Sequence, residues 1–135
     1  MDKIIIEGNN HLEGTVKISG AKNAVLPIMT AALMVDGKSI ISKVPNLRDT
    51  RTMIKLLNIV GADCNLEGDL LTIDGSKANN PEAPYDLVKT MRASFYVLGP
   101  LLARFGYVKV SLPGGCAWGP RPVDYHLKGL EKLGA

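Results

Sequence analysis

The run Leu112-Pro113-Gly114-Gly115-Cys116-Ala117-Trp118-Gly119-Pro120-Arg121-Pro122-Val123-Asp124 holds the residue types best suited to chemistry in this chain. A thiol at Cys116 sits among three glycines and three prolines, and Arg121 follows five residues later. Proline suits the first position of a helix and aspartate suits the first turn, so Pro122 and Asp124 predict a helix start. A thiol beside a fixed cation and a helix N-terminus is held in the two environments that lower a thiol pKa and make it reactive. The same groups favour an anionic ligand, because helix-start N–H groups and a guanidinium both attract negative charge. An isolated cysteine is more often a small buried hydrophobe. Here the flanking residues favour the reactive reading.

A second cluster is Ser19-Gly20-Ala21-Lys22-Asn23, where Lys22 is a point charge at a predicted helix start. Arg92 stands in the place equivalent to Asn23 about 70 positions on, because two stretches of the chain echo each other. Each runs from a helical segment through Gly37 or Gly106 to an apolar stretch ending at Pro45 or Pro113. Each then closes with a helix ending in Gly-Ala, at Gly61-Ala62 and Gly134-Ala135. Met53, Ile54, Leu57 and Val60 in one, and His126, Leu127, Leu130 and Leu133 in the other, carry helical spacing before that glycine stop.

The elements that must position these groups follow from periodicity and punctuation. Strands are expected at 3–7, 15–19, 39–43, 63–67, 70–74 and 107–112, and helices at 22–35, 49–60, 86–104 and 122–133. Leu66-Glu67-Gly68-Asp69-Leu70 reads as a hairpin and 76–84 as a loop. Pro27 lies close enough to a helix start to be tolerated, whereas Gly99-Pro100 should kink or split its helix. Strands alternating with helices predict an α/β fold in which helices pack on sheets. The second repeat stops where its next strand should begin, so the chain is expected to be a truncated fragment of a longer protein.

Composition bounds the function. At 135 residues with 46% hydrophobic and 21% charged residues, the chain can build one soluble core. A net charge of +3 with five percent aromatics gives no basic, aromatic-interleaved face for nucleic acid. The longest apolar run, 95–103, is too short to span a bilayer. Two cysteines without metal-type spacing, and no signal-like apolar segment, place the protein in a reducing cytoplasm. Cys64 is expected to be half-buried and chemically inert. His11 and His126 form neither a triad nor a metal pair, and Asp63, Glu67 and Asp69 are expected to be solvated.

Taken in order, Ser19-Gly20-Ala21-Lys22-Asn23-Ala24, Asp86-Leu87-Val88-Lys89-Thr90-Met91-Arg92-Ala93-Ser94, and Pro113-Gly114-Gly115-Cys116 with Gly119-Pro120-Arg121-Pro122-Val123-Asp124 resemble the UDP-N-acetylglucosamine 1-carboxyvinyltransferase family. The resemblance implies the N-terminal third of a two-domain enzyme. Its fold is built from repeated βαβαββ units, with helices inside and sheets outside. Residues 1–20 would be strands of the second domain, and 21–135 an incomplete first domain carrying the cysteine loop 112–122. It implies transfer of the enolpyruvyl group of phosphoenolpyruvate to the 3-hydroxyl of UDP-N-acetylglucosamine, the first committed step of peptidoglycan synthesis, with no metal or organic cofactor. Cys116 would donate the proton and could form a covalent adduct with phosphoenolpyruvate, the reactivity that makes this family a fosfomycin target. Lys22, Asn23 and Arg92 would hold the anionic substrates, and Arg121, Pro122, Val123, Asp124 and Tyr125 would bind UDP-N-acetylglucosamine. Trp118 departs from the smaller aliphatic residue expected there, and Pro120 adds stiffness to the loop. The alternatives are a sibling transferase acting on shikimate 3-phosphate, which is not expected to carry the Pro-Gly-Gly-Cys loop, and a non-catalytic nucleotide-sugar-binding or assembly module. A fragment with uncovered sheet edges and apolar faces is expected to self-associate.

Overall fold

A computed structural model describes residues 3–9, 11–112 and 123–135. The first expected unit is present from its helix onward: α1 (Lys22–Ala31), β1 (Lys38–Ile41), α2 (Arg48–Ile59), β2 (Asp63–Glu67) and β3 (Leu70–Asp74). Alternation builds the sheet. Along β2, Asp63, Asn65 and Glu67 face out while Cys64 and Leu66 face in, and in β3 Leu71 and Ile73 are fully buried. β3 lies in the centre, antiparallel to both neighbours, in the order β1-β3-β2. Gly68-Asp69 closes the β2–β3 hairpin as the spacing predicts.

The helices carry the apolar stripe that covers this sheet. Val25, Leu26 and Met29 of α1 and Met53, Leu56 and Leu57 of α2 join Leu71 and Ile73 in one core. Helices lie within that core and the sheet closes over it, as the α/β expectation requires. After α1 a 3₁₀ turn, Ala32–Met34, tightens the end of the predicted helix 22–35. Arg104 clasps that turn from across the core: its Nη1 donates to the Leu33 carbonyl at 2.9 Å and its Nη2 to the Ser76 carbonyl at 3.0 Å.

The expected helix 86–104 is three pieces: α3 (Tyr85–Val88), a 3₁₀ segment (Arg92–Val97) and α4 (Leu98–Phe105). Pro100 has no N–H to give the Tyr96 carbonyl. Standing in the first turn of α4 it costs nothing, but α geometry cannot run back through Tyr96 without losing a bond. The segment instead takes three residues per turn, with Met91 extended just before it. Met91, Ser94 and Val97 form its buried row.

Three further expectations are corrected. The stretches 3–7 and 15–19 carry no regular secondary structure and pair with no strand among the described residues, and Ile4 at 90% and Val16 at 82% exposure leave them uncovered. A strand needs a partner for its ladder, and neither edge strand of the sheet, β1 or β2, pairs with these stretches. The loop 76–84 contains a short strand, β4 (Glu82–Ala83), pairing in parallel with β5 (Lys109–Val110), which is all that forms of the strand expected at 107–112. The last helix, α5, spans Asp124–Lys132 and buries none of its residues.

The two Gly-Ala stops are built alike. Gly61 and Gly134 both have φ near 94°, a left-handed conformation that glycine adopts without steric cost. Ala62 N–H reaches back to the Leu57 carbonyl at 3.0 Å, and Ala135 N–H to the Leu130 carbonyl at 3.1 Å, the six-residue closure of a Schellman cap.

Candidate functional site

Lys22 and Asn23 open α1 because the chain before them is pinned. Gly20 lies so close to the backbone of Lys43 that a Cβ there would collide with the Lys43 carbonyl oxygen. The N–H groups at a helix start have no partner within the helix, and Ala21 brings no side-chain cap. Pro27, inside α1, also has no N–H to offer the Asn23 carbonyl.

The start of α2 is held more tightly. The buried Thr50 hydroxyl accepts from Leu47 N–H at 3.0 Å and lies 2.8 Å from the Pro45 and Leu47 carbonyls, to which it can donate. That lock fixes Asp49, whose Oδ2 stands 3.0 Å from Lys22 Nζ. The ion pair joins the first turns of the two helices.

Arg92 opens the 3₁₀ segment, with Met91 buried beneath it as an anchor. Opposite stands α5, where Val123 takes the cap position and its carbonyl accepts from His126 N–H at 3.1 Å. His126 meets Phe95 edge to face, with centroids 6.2 Å apart and planes at 78°.

These parts enclose a cavity of about 770 Å³, within the range of small-molecule sites. Lys22, Asn23, Arg92, Val123 and Tyr125 all line it. Five sequence-predicted residues from three separate parts of the chain are thus brought to one hollow. The 3₁₀ period explains the wall: Arg92, Phe95 and Leu98 form one lining row and Ala93, Tyr96 and Gly99 the next. Asp124 is not on the wall. Its Oδ2 lies 3.3 Å from Lys128 Nζ, and its Oδ1 is buried without a hydrogen-bond partner among the described residues. Cys116, Arg121 and Pro122 lie outside the described residues, as does the rest of the loop 113–122.

Sequence reasoning missed Asp49, Thr90, Tyr96 and His126 on this wall. The signal for Asp49 was its place in the first turn of a helix preceded by Pro45; that for His126 was its place in the helical row that also brings Leu130 and Leu133 to the cavity. Among the described residues the lining is largely apolar with two cations and one carboxylate, a makeup that can accommodate an anionic ligand with a sizeable apolar body. Cys64, in contrast, is half-buried in β2, and desolvation, reinforced by the charge of Asp63, pushes its thiol up to about 12.

The family model described as EPSP synthase (3-phosphoshikimate 1-carboxyvinyltransferase) matches residues 6–135. The chain belongs to that family. Along its whole length it is 57% identical to UDP-N-acetylglucosamine 1-carboxyvinyltransferases of Chloroherpeton thalassium and Dichelobacter nodosus, and 54% identical to that of Chlorobaculum parvum. It spans 32% of the length of each of these relatives, their N-terminal third. The enolpyruvyl transferase NikO from Streptomyces tendae superposes with a TM-score of 0.66 at 30% identity, over 73% of this chain and 23% of that one. The α/β fold of an enolpyruvyl transferase is therefore the fold of this chain. No described helix is long and apolar enough to cross a membrane.

Proposed function

We propose that the chain forms one wall of an active site that transfers the enolpyruvyl group of phosphoenolpyruvate to the 3-hydroxyl of UDP-N-acetylglucosamine. The observation that carries this reading is the convergence of Lys22, Asn23, Arg92, Val123 and Tyr125 on one cavity, in a chain more than half identical to transferases of that name. The hydroxyl oxygen bonds to C2 of phosphoenolpyruvate while a proton is added at C3. Phosphate then leaves C2 and a C3 proton is lost, which restores the double bond and balances the reaction.

The residues divide the work by their chemistry. Lys22 and Arg92 neutralise the phosphate and carboxylate of phosphoenolpyruvate, the lysine as a point charge and the arginine through its planar fork. Asn23 offers amide donors at the start of α1. Cys116 supplies the C3 proton, a task for a group whose pKa lies near the working pH. Arg121, Pro122, Val123, Asp124 and Tyr125 hold the nucleotide sugar. Residues 1–20 belong to a second domain that forms the facing wall, and the general base lies beyond this chain. The place of such an enzyme is peptidoglycan synthesis in the cytoplasm.

The test is phosphate release by the full-length protein with both substrates. Lys22→Ala, Arg92→Ala and Arg121→Ala should each lower kcat/KM by roughly 10- to 150-fold, the loss expected for a charge-assisted contact, with Lys132→Ala as the exposed-helix control. Four equal effects would remove the three residues from the site. Turnover with shikimate 3-phosphate in place of the nucleotide sugar would shift the reading to the sibling reaction. Binding without phosphate release would make the protein a nucleotide-sugar module.

A further inference from the structure

Among the described residues, Asp49 is the one carboxylate on the wall of a cavity otherwise suited to an anion. Its charge opposes binding of phosphate or carboxylate, so its presence asks for a compensating task. Two observations supply one. Its Oδ2 is 3.0 Å from Lys22 Nζ, and both side chains line the same hollow. Its own base is rigid, because the neighbouring Thr50 hydroxyl is locked to Pro45 and Leu47.

Lys22 needs such a partner. Its side chain is 47% exposed, so packing alone does not fix its four rotatable bonds. An ammonium has three donors. One spent on Asp49 leaves two for a ligand while tethering the group across the starts of α1 and α2. We propose that Asp49 is a positioning residue that holds the Lys22 ammonium ready for an oxyanion of the phosphoenolpyruvate class, an inference that rests on the reading under Proposed function. The ordering of Lys22 is then already made before substrate arrives.

Removing Asp49 has two opposite effects. It frees Lys22, which weakens binding, and it removes a negative charge, which strengthens it. Salt weights them differently: near 1 M ionic strength the Debye length falls to about 3 Å, which screens the longer-range repulsion between Asp49 and the ligand more than the 3.0 Å contact between Asp49 and Lys22. The experiment compares wild type, Asp49→Ala, Lys22→Ala and the double variant in the full-length enzyme, at low and high salt, by steady-state kinetics. At high salt Asp49→Ala should raise KM for phosphoenolpyruvate by roughly 2- to 12-fold, the cost of immobilising one long side chain on binding, with KM for UDP-N-acetylglucosamine unchanged. In the Lys22→Ala background the same substitution should do nothing. Asp49→Glu should recover part of the loss. If Asp49→Ala does not fold, Asp49→Asn replaces it in the same cycle.

An equal Asp49→Ala effect with and without Lys22 would reduce Asp49 to a helix-start residue. Wild-type KM for Asp49→Ala at high salt, with Lys22→Ala impaired, would overturn the positioning role alone. A Lys22→Ala enzyme with unchanged phosphoenolpyruvate kinetics would instead overturn the site assignment on which the inference stands.

Discussion

Burial of Cys64 in β2 makes a quantitative prediction about thiol reactivity. Its pKa is pushed from 9.0 to about 12, first by desolvation and then by the charge of Asp63. At pH 8, a rise of that size lowers the thiolate fraction by roughly 10³-fold. The thiolate that remains is more nucleophilic, with a Brønsted coefficient of about 0.4–0.5, which returns a factor of roughly 15 to 30. Exchange of Cys64 with a small neutral disulfide should therefore run roughly 30- to 60-fold slower than that of an ordinary thiol, before any steric hindrance is counted. The assay follows the released thiol by absorbance and assigns each modified cysteine by peptide mass spectrometry, with the same chain in denaturant as the unperturbed reference. The rate should climb tenfold per pH unit well past pH 9. On the reading proposed above for Cys116, that thiol should be modified first. Native Cys64 exchanging at the denatured rate, or ahead of Cys116, would refute the reasoning.

Other consequences are as readily checked. The raised Cys64 pKa means that the unfolded chain loses this proton before the native one does, so stability should fall between pH 9 and about 12; denaturant midpoints should decline less steeply there in Cys64→Ser. Thr50→Val leaves the Leu47 N–H and the Pro45 carbonyl without their buried partner and should cost about 1–3 kcal/mol in urea unfolding. Gly20→Ala should displace the chain before α1 and reduce anion binding, seen as a higher KM for phosphoenolpyruvate in the full-length protein; unchanged kinetics would show that the Gly20–Lys43 approach does not set the Lys22 position. The apolar side chains exposed along 4–18 should make this 135-residue chain self-associate, with light scattering that rises with concentration and drops when 1–19 are deleted.

Much of this architecture was legible because local chemistry agreed with tertiary demand. The hairpin strands fall at the predicted residues, since strict alternation and a Gly-Asp turn leave one register. The Gly-Ala echo proved to be the same cap built twice. Lys22 and Asn23 stood out at a predicted helix start and Arg92 as the counterpart of Asn23 in the second repeat, and all three line the cavity. Errors arose where the deciding partner lies far away in the chain. The segments 3–7 and 15–19 have strand patterns, but a pattern cannot provide a neighbouring edge. The apolar run 86–104 has enough helical spacing to read as one helix, yet a missing N–H at Pro100 breaks it into two geometries. Asp49 looked like an ordinary helix-start acid until packing of α1 on α2 placed Lys22 beside it.

The 3₁₀ segment has a consequence for anyone who would engineer this protein. Because its residues repeat every third position, one row sinks into the core while Arg92 stays aligned with Phe95 and Leu98 on the cavity. An α-helix turns only about 300° in three residues, so converting the stretch to α geometry would swing each successive row by about 60°. Strong helix formers are the usual choice for raising thermal stability. Installed between Met91 and Leu98, they would favour the one change of winding that pulls the aromatic wall away from its arginine. In this stretch a weak preference for the ordinary helix keeps the cavity wall in register, and a more stable variant would be expected to lose that alignment of Arg92 with Phe95.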